Sequence, residues 1–298
     1  MKITFPDGTV KEFPQHTTGK DIALSISEGL ARNALGIIVN DIPFDLSRPI
    51  DQDSNIRILT WNDDEGKQIF WHSTAHLMAE ALEALYPGVK FGIGPSIEAG
   101  FYYDVDLPEG VKISVEDLPA IEQKMKELVK ADSQFLRKEI SWQDAIAYFT
   151  EKGDEYKLEL LEGLKDSEIT FYSQGNFTDL CRGTHVPSTG TLKYPKLLSV
   201  AGAYWRGDSS RKQLTRIYGI AFPKKDQLDE FIKLREEAEK RDHRRIGKEL
   251  ELFMISPMIG GGLPVWLPNG TVVRRTLENF LRNEQVKRGY QEVITPHI

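Results

Sequence analysis

The chain has 298 residues, 40% apolar and 28% charged, a globular composition with room for two or three cores that excludes a disordered, collagenous or simple coiled-coil protein. Its net charge of −7 sits in the middle, where residues 62–223 carry 18 Lys and Arg against 25 Asp and Glu, so binding to nucleic acid would need a local cluster of cations. No run approaches a membrane span, the first residues form no cationic leader, and the lone cysteine, Cys181, excludes an internal disulfide; a cytoplasmic, membrane-free setting is the expectation.

Residues 2–5 and 9–13 alternate around Pro6-Asp7-Gly8 and predict a hairpin. Thr18 with Asp21 has the pattern of a capping box, and Ile22, Ile26 and Leu30 follow at helical spacing, which predicts one helix. Strands over 36–40 and 55–59 complete a ββαβ unit with a last strand, an order that suits a β-grasp sheet crossed by one helix. Residues 62–66 are a polar break before a helix marked by Ile69, Leu77, Met78, Ala81, Leu82 and Leu85, which stops at Tyr86-Pro87-Gly88.

Glycine-interrupted, aromatic residues 91–106 predict strands with close backbone approaches. Capped helices follow from Ser114 with Asp117 and from Ser141 with Asp144, the first carrying Leu118, Ile121, Met125 and Leu128 on one face. Strands resume at 169–173 and 213–222, giving an α+β domain that ends near Pro223. Residues 224–250 read as a connecting helix, in which Lys240, Arg241, Arg244, Arg245 and Lys248 are opposed within their own run by Asp242 alone. Beyond it come Gly260-Gly261-Gly262, the turn residues Pro268-Asn269-Gly270, a helix over 273–288 and a strand-like start at 292–296.

His72 and His76 are spaced i, i+4, which stacks both imidazoles on one helix face, about 6 Å apart along its axis. Ser73 stands where a zinc-protease helix needs a glutamate base, which removes that reading. In Asp179-Leu180-Cys181-Arg182-Gly183-Thr184-His185, the glycine permits a turn that brings thiol and imidazole toward one point. The four groups suit tetrahedral zinc, and equally a metal-free hydrolytic pocket in which imidazole and lysine shuttle protons and orient water. Lys157 alone reads as a surface lysine, and Tyr102, Tyr103 and Trp205 as core or rim aromatics.

Five separated segments, HSTAHLMAEAL at 72–82, GPSIEAGFYYD at 94–104, FTDLCRGTHVPSTG at 177–190, AGAYWRGDS at 201–209 and RDHRRIGKELELF at 241–253, resemble bacterial threonyl-tRNA synthetase in the family's own order. The resemblance covers essentially the whole chain and implies a multidomain α+β protein: a ubiquitin-like TGS β-grasp domain over 1–61, an editing domain over 62–223, a linker helix over 224–251 and the start of a class II catalytic domain over 252–298. GYQEVITP resembles the opening of motif 1, so the chain reads as an N-terminal fragment truncated there. For the whole enzyme the resemblance implies ATP-dependent attachment of threonine to tRNA(Thr) by a homodimer, with ATP, magnesium and zinc held beyond residue 298. The chain itself is then expected to hydrolyse the ester of mischarged Ser-tRNA(Thr) without a required cofactor, and no metal is assigned to it.

Carried over residue by residue, the resemblance makes His72, Lys157, Cys181 and His185 catalytic. Lys157 and His72 would position and deprotonate the water, or relay through a ribose hydroxyl, with His185 and Cys181 in support. His76, Tyr102, Tyr103 and Asp179 would bind substrate, Asp179 pairing with its ammonium, and Arg241, Arg244, Arg245 and Lys248 would meet tRNA. Two other readings stand beside this one: a zinc-dependent hydrolase on the same His/His/Cys/His set, and a non-catalytic tRNA-binding or regulatory module.

Overall fold

In the computed structural model, which describes residues 1–296, Gly8 at φ +82° turns the chain so that β1 (Lys2–Thr4) pairs antiparallel with β2 (Val10–Glu12). A two-residue strand, β3 (Thr17–Thr18), leads into α1 (Gly19–Ile26), whose N-terminus carries the expected capping box of Thr18 and Asp21. The single helix expected here is two. Ser27 is extended and ends α1, and its hydroxyl accepts the Leu30 N–H at the start of α2 (Glu28–Asn33), since serine competes with the helix for backbone hydrogen bonds.

β4 (Gly36–Val39), β5 (Ile42–Phe44), β6 (Pro49–Ile50) and β7 (Ser54–Leu59) follow. The five-stranded sheet runs β2-β1-β7-β4-β5, with β1 and β7 parallel, and β3 pairs with β6. Ile3, Ile22, Ile37, Leu46 and Ile56 form its buried core against α1. Each such side chain contributes roughly 1.5–3 kcal/mol relative to exposure.

The polar break at 62–66 runs into the first turn of the next helix, α3 (Asp64–Leu85), because Asp64 and Glu65 suit its positive N-terminal end. Fourteen of its 22 residues are buried, which makes it a central helix rather than an amphipathic one. α3 packs on β10 (Gly100–Asp106) and β15 (Gln213–Phe222), and the Trp71 indole N–H donates to Ala221 O at 2.9 Å. These strands belong to the sheet β14-β15-β10-β8, with β8 (Lys90–Phe91), β14 (Tyr194–Tyr204) and β9 (Ser96–Ile97), which pairs with β10. α4 (Leu118–Ala131) packs on α3 and β14 behind a 3-10 turn at Val115–Asp117. Leu118, Ile121 and Met125 are buried as expected, while Leu128 is half-buried.

β11 (Leu136–Ile140), β12 (Ile169–Gln174) and β13 (Phe177–Leu180) form a second, antiparallel sheet in this part of the chain. α5 (Trp142–Lys152) and α6 (Glu155–Glu162) pack on it through Ala145, Phe149, Leu161 and Phe171. All these elements lie in one compact unit, Met1–Leu228.

From Asp229 onward the chain forms a second unit. The expected connecting helix is broken: α7 (Lys225–Lys240) ends before Arg241, and Asp242 caps α8 (His243–Glu249) by accepting the Arg244 N–H. Then β16 (Phe253–Ile255) pairs with β17 (Pro264–Trp266), and α9 (Pro268–Lys287) starts earlier than expected because Pro268 serves as its first residue. Residues 291–296 form no strand, and residues 297 and 298 lie outside the described part.

Candidate active site

α3 carries His72 and His76 one turn apart, and the loop after β13 carries Cys181 and His185. Gly183 in that loop sits at φ +80°, and a Cβ there would stand 2.1 Å from the Tyr172 hydroxyl, so only glycine makes this turn. The halves meet. Ring centroids of His72, His76 and His185 are 4.3–5.0 Å apart, and the four potential ligand atoms, three imidazole nitrogens and the Cys181 sulfur, lie within 4.8 Å of one another.

Hydrogen-bond partners decide the proton positions. His72 Nδ1 lies 3.1 Å from Gly94 O and must donate to it, which leaves His72 Nε2 to accept the Cys181 thiol proton across 3.0 Å. The Ser73 hydroxyl donates to Ile69 O at 2.7 Å, so His185 Nδ1, at 3.2 Å, donates to the Ser73 oxygen. His185 Nε2 then turns a lone pair toward the same sulfur, at 3.4 Å. One thiol proton thus faces two imidazole lone pairs, and the buried His76 Nδ1 has no partner among the described residues. The cluster is short of donors.

Burial holds all these groups neutral. It lowers the His72 imidazole, takes His76 down to about 3, and takes His185 well below the ordinary value, with the neighbouring imidazoles adding to the last two. Burial pushes the Cys181 thiol up to about 12, against the Gly183 N–H that it accepts. His72 and Cys181 are half-buried while His76 and His185 are buried, so the cluster opens to solvent at the first two. A cavity of about 890 Å³ lined by residues 139–143 and 165–169 lies elsewhere and contains none of these groups.

Lys157, Asp179 and Tyr103 form a second buried group. The Asp154 carboxylate caps α6 by accepting the Lys157 N–H and also accepts the Phe91 N–H at 3.1 Å, which fastens the first turn of α6 to β8. Lys157 Nζ then reaches Asp179 Oδ1 at 2.7 Å, and the Tyr103 hydroxyl donates to Asp179 Oδ2. Burial raises the Asp179 carboxyl, but the Lys157 ammonium and the hydrogen bonds from Lys157 and Tyr103 outweigh it and hold it below its ordinary range. Gly94 ties this group to the imidazoles: its carbonyl accepts from His72, and a Cβ on it would lie 2.3 Å from the Tyr103 ring.

Tyr102 is not brought to this place. Side chains alternate along β10, so it lies on the opposite face from Tyr103, with the Arg216 guanidinium 3.9 Å over its ring and Tyr218 beside it. Arg241, Arg244, Arg245 and Lys248 are exposed in the second unit, and carboxylates within and beside their run answer the three arginines. Arg241 pairs with Glu237 at 3.5 Å, Arg244 with Asp242 at 2.7 Å and Arg245 with Glu249 at 3.4 Å, so the run is no bare cationic patch.

Sequence reasoning missed Ser73, Gly94, Phe135 and Tyr172, which surround the imidazoles; Phe135 stacks on His185 at 4.9 Å. It also missed Glu80, one turn beyond His76, a signal available as the i+8 continuation of the histidine stripe. Burial raises the Glu80 carboxyl from 4.5 to about 7, and its Oε2 has no partner among the described residues. A raised carboxyl favours folding below the unfolded value and weakens it as pH rises toward the folded one. Glu80→Gln is therefore expected to match the parent near pH 4.5 and to be more stable by about 1 kcal/mol at pH 8, after discounting for solvent screening. Urea melts at both pH values check it; equal stability at pH 8 contradicts it.

Residues 1–60 match the TGS domain family, and residues 169–218 match the "Threonyl and Alanyl tRNA synthetase second additional domain". The whole chain is 61% identical to a threonine–tRNA ligase of Cytophaga hutchinsonii, 59% to one of Porphyromonas gingivalis and 56% to one of Bacteroides fragilis. In each case the 298 residues cover 46% of the relative, so the chain spans about half the length of the curated relatives it matches.

Proposed function

The chain belongs to the threonine–tRNA ligase family, and from that premise we propose that its buried cluster hydrolyses the ester of mischarged Ser-tRNA(Thr). The protein of which it is part would attach threonine to tRNA(Thr) as a cytoplasmic homodimer, with ATP, magnesium and zinc serving that ligation. A second pocket answers a physical need. A site that accepts threonine discriminates against serine, one methyl smaller, by only about 1–3 kcal/mol.

The shortage of donors around Cys181 is the observation that carries the reading. A seryl ester brings a hydroxyl and an ammonium, and its hydrolysis adds a water, so substrate and nucleophile supply the protons that the imidazoles lack. Water attacks the ester carbonyl carbon, its proton passes to His72 or through a ribose hydroxyl, and the bond to the ribose oxygen breaks as that oxygen is protonated. Lys157 orients the water, Asp179 shares its charge with the substrate ammonium, and Tyr103 fixes Asp179. Gly94 O holds His72 in the tautomer whose Nε2 accepts. Cys181 and His185 support it as the thiol proton turns to His185 Nε2 and frees His72 Nε2 for the proton from water, and His76 orients. Arg241, Arg244, Arg245 and Lys248 would contact the tRNA backbone.

A metal-assisted version of the same hydrolysis rests on one further observation. A nitrogen and a sulfur on tetrahedral zinc stand about 3.5 Å apart, near the 3.0 Å and 3.4 Å from Cys181 to His72 and His185. His72, His76, Cys181 and His185 would hold the ion, which would supply Lewis acidity and draw the thiol proton off.

The test is to incubate the purified chain with Ser-tRNA(Thr) and with Thr-tRNA(Thr), before and after chelation, with elemental analysis alongside. Serine release at least tenfold faster than threonine release is expected, without stoichiometric metal. Stoichiometric zinc with loss of activity on chelation supports the metal-assisted version. Binding of tRNA without release of serine contradicts both and leaves a tRNA-binding module.

A further inference from the structure

His185 owes its place to a residue from the other end of the unit. Asp45 lies between β5 and β6, in the segment that matches the TGS domain, next to Leu46 in that segment's core. The Lys20 N–H donates to Leu46 O at 3.0 Å, which fixes the turn to α1. Asp45 is buried, 8% exposed: its Oδ1 accepts the His185 backbone N–H at 2.8 Å and its Oδ2 accepts the Tyr172 hydroxyl at 2.7 Å. Tyr172 in turn packs on the His185 ring at 4.4 Å, and its hydroxyl sits where a Cβ on Gly183 would be. One carboxylate thus grips the Cys181–His185 loop directly at the His185 N–H and indirectly through Tyr172 of β12, which packs on it.

We propose that Asp45 is a positioning residue for the cluster, so that the TGS-matched segment completes the hydrolytic site. The proposal rests on the hydrolytic reading for its kinetic consequence and on geometry alone for its structural one. Without the carboxylate, the His185 N–H and the Tyr172 hydroxyl lose their shared acceptor, the loop loosens, and His185 Nδ1 no longer stays within reach of Ser73. Hydrogen-bond partners that orient the ligating side chains of metal sites change affinity or activity by about 10–100-fold when removed, and Asp45 orients His185 in the same manner.

The experiment compares the full chain with Asp45→Ala and Asp45→Asn by single-turnover hydrolysis of Ser-tRNA(Thr) and by the imidazole ¹⁵N resonances of His185. Asparagine keeps an acceptor for the His185 N–H, and the Tyr172 hydroxyl can accept from its amide. We expect Asp45→Ala to lower the maximal rate about 10-fold or more with half-saturation within about twofold, and to shift the His185 resonances. Asp45→Asn should stay within about threefold of the parent rate. Unchanged His185 resonances in a folded Asp45→Ala protein overturn the proposal, whatever the rates. If the parent hydrolyses nothing while Asp45→Ala still shifts those resonances, the positioning stands and the hydrolytic reading fails. Should Asp45→Ala not fold, Asp45→Glu keeps the charge on a stem one methylene longer; it should displace the loop and shift the same resonances, and parent-like resonances overturn the proposal.

Discussion

Lys157→Ala is expected to destabilise the protein by about 3–5 kcal/mol, the range for stripping one partner from a buried ion pair. Lys157 and Asp179 are each 2% exposed, and with the ammonium gone the carboxylate keeps, among the described residues, the Tyr103 hydroxyl and the Leu180 N–H. An unpaired buried carboxylate takes up a proton more readily, so the cost should shrink as pH falls through the carboxylate range. Denaturant melts at pH 7 and pH 4 would show both effects. The double variant Lys157→Met with Asp179→Leu removes both charges and should recover most of the loss while remaining inactive, because neither replacement can orient water. A loss below about 1 kcal/mol for Lys157→Ala would place the pair in a wetter setting than the structure shows.

His72→Ala is expected to slow single-turnover hydrolysis of Ser-tRNA(Thr) by about 10²–10⁴-fold while changing stability far less than Lys157→Ala does. His72 is half-buried at the open side of the cluster, and its Nε2 is the acceptor nearest the Cys181 thiol, at 3.0 Å. On its removal the thiol proton can turn to His185 Nε2 at 3.4 Å, so the sulfur is not left without an acceptor. Quench-flow or manual time courses of serine release decide the matter, and a rate within threefold of the parent would remove His72 from the chemistry.

Short-range chemistry was legible in the chain. The capping box at Thr18 and Asp21, the helix through His72 and His76, and the alternating strands all depend on residues within a turn or a strand of one another. The breaks at Ser27 and Asp242 were not read, because in both the apolar or charged pattern runs on while one side chain captures a backbone N–H. β14 was hidden by Pro195, Ala203 and Gly202, which an edge strand tolerates.

At the site, local pattern supplied the two halves, and the family resemblance supplied Lys157, Asp179 and Tyr103. Alternation says that Tyr102 and Tyr103 face opposite ways, but not which of them meets Asp179. Asp45 had no signal at all, since its partners lie 127 and 140 residues away. Nor does a sequence reveal that one thiol proton serves two imidazoles, which is a property of distances alone.

The most direct measurement is a crystal structure of the chain with a seryl group joined to the 3′ position of adenosine by an amide, which keeps the ester's shape and resists hydrolysis. The seryl hydroxyl and ammonium are expected at the open side of the cluster, within hydrogen-bond distance of His72 and of the Lys157–Asp179 pair. An analogue bound elsewhere, or His72 and Cys181 left untouched at saturating analogue, would contradict a hydrolytic pocket built from α3 and the loop after β13.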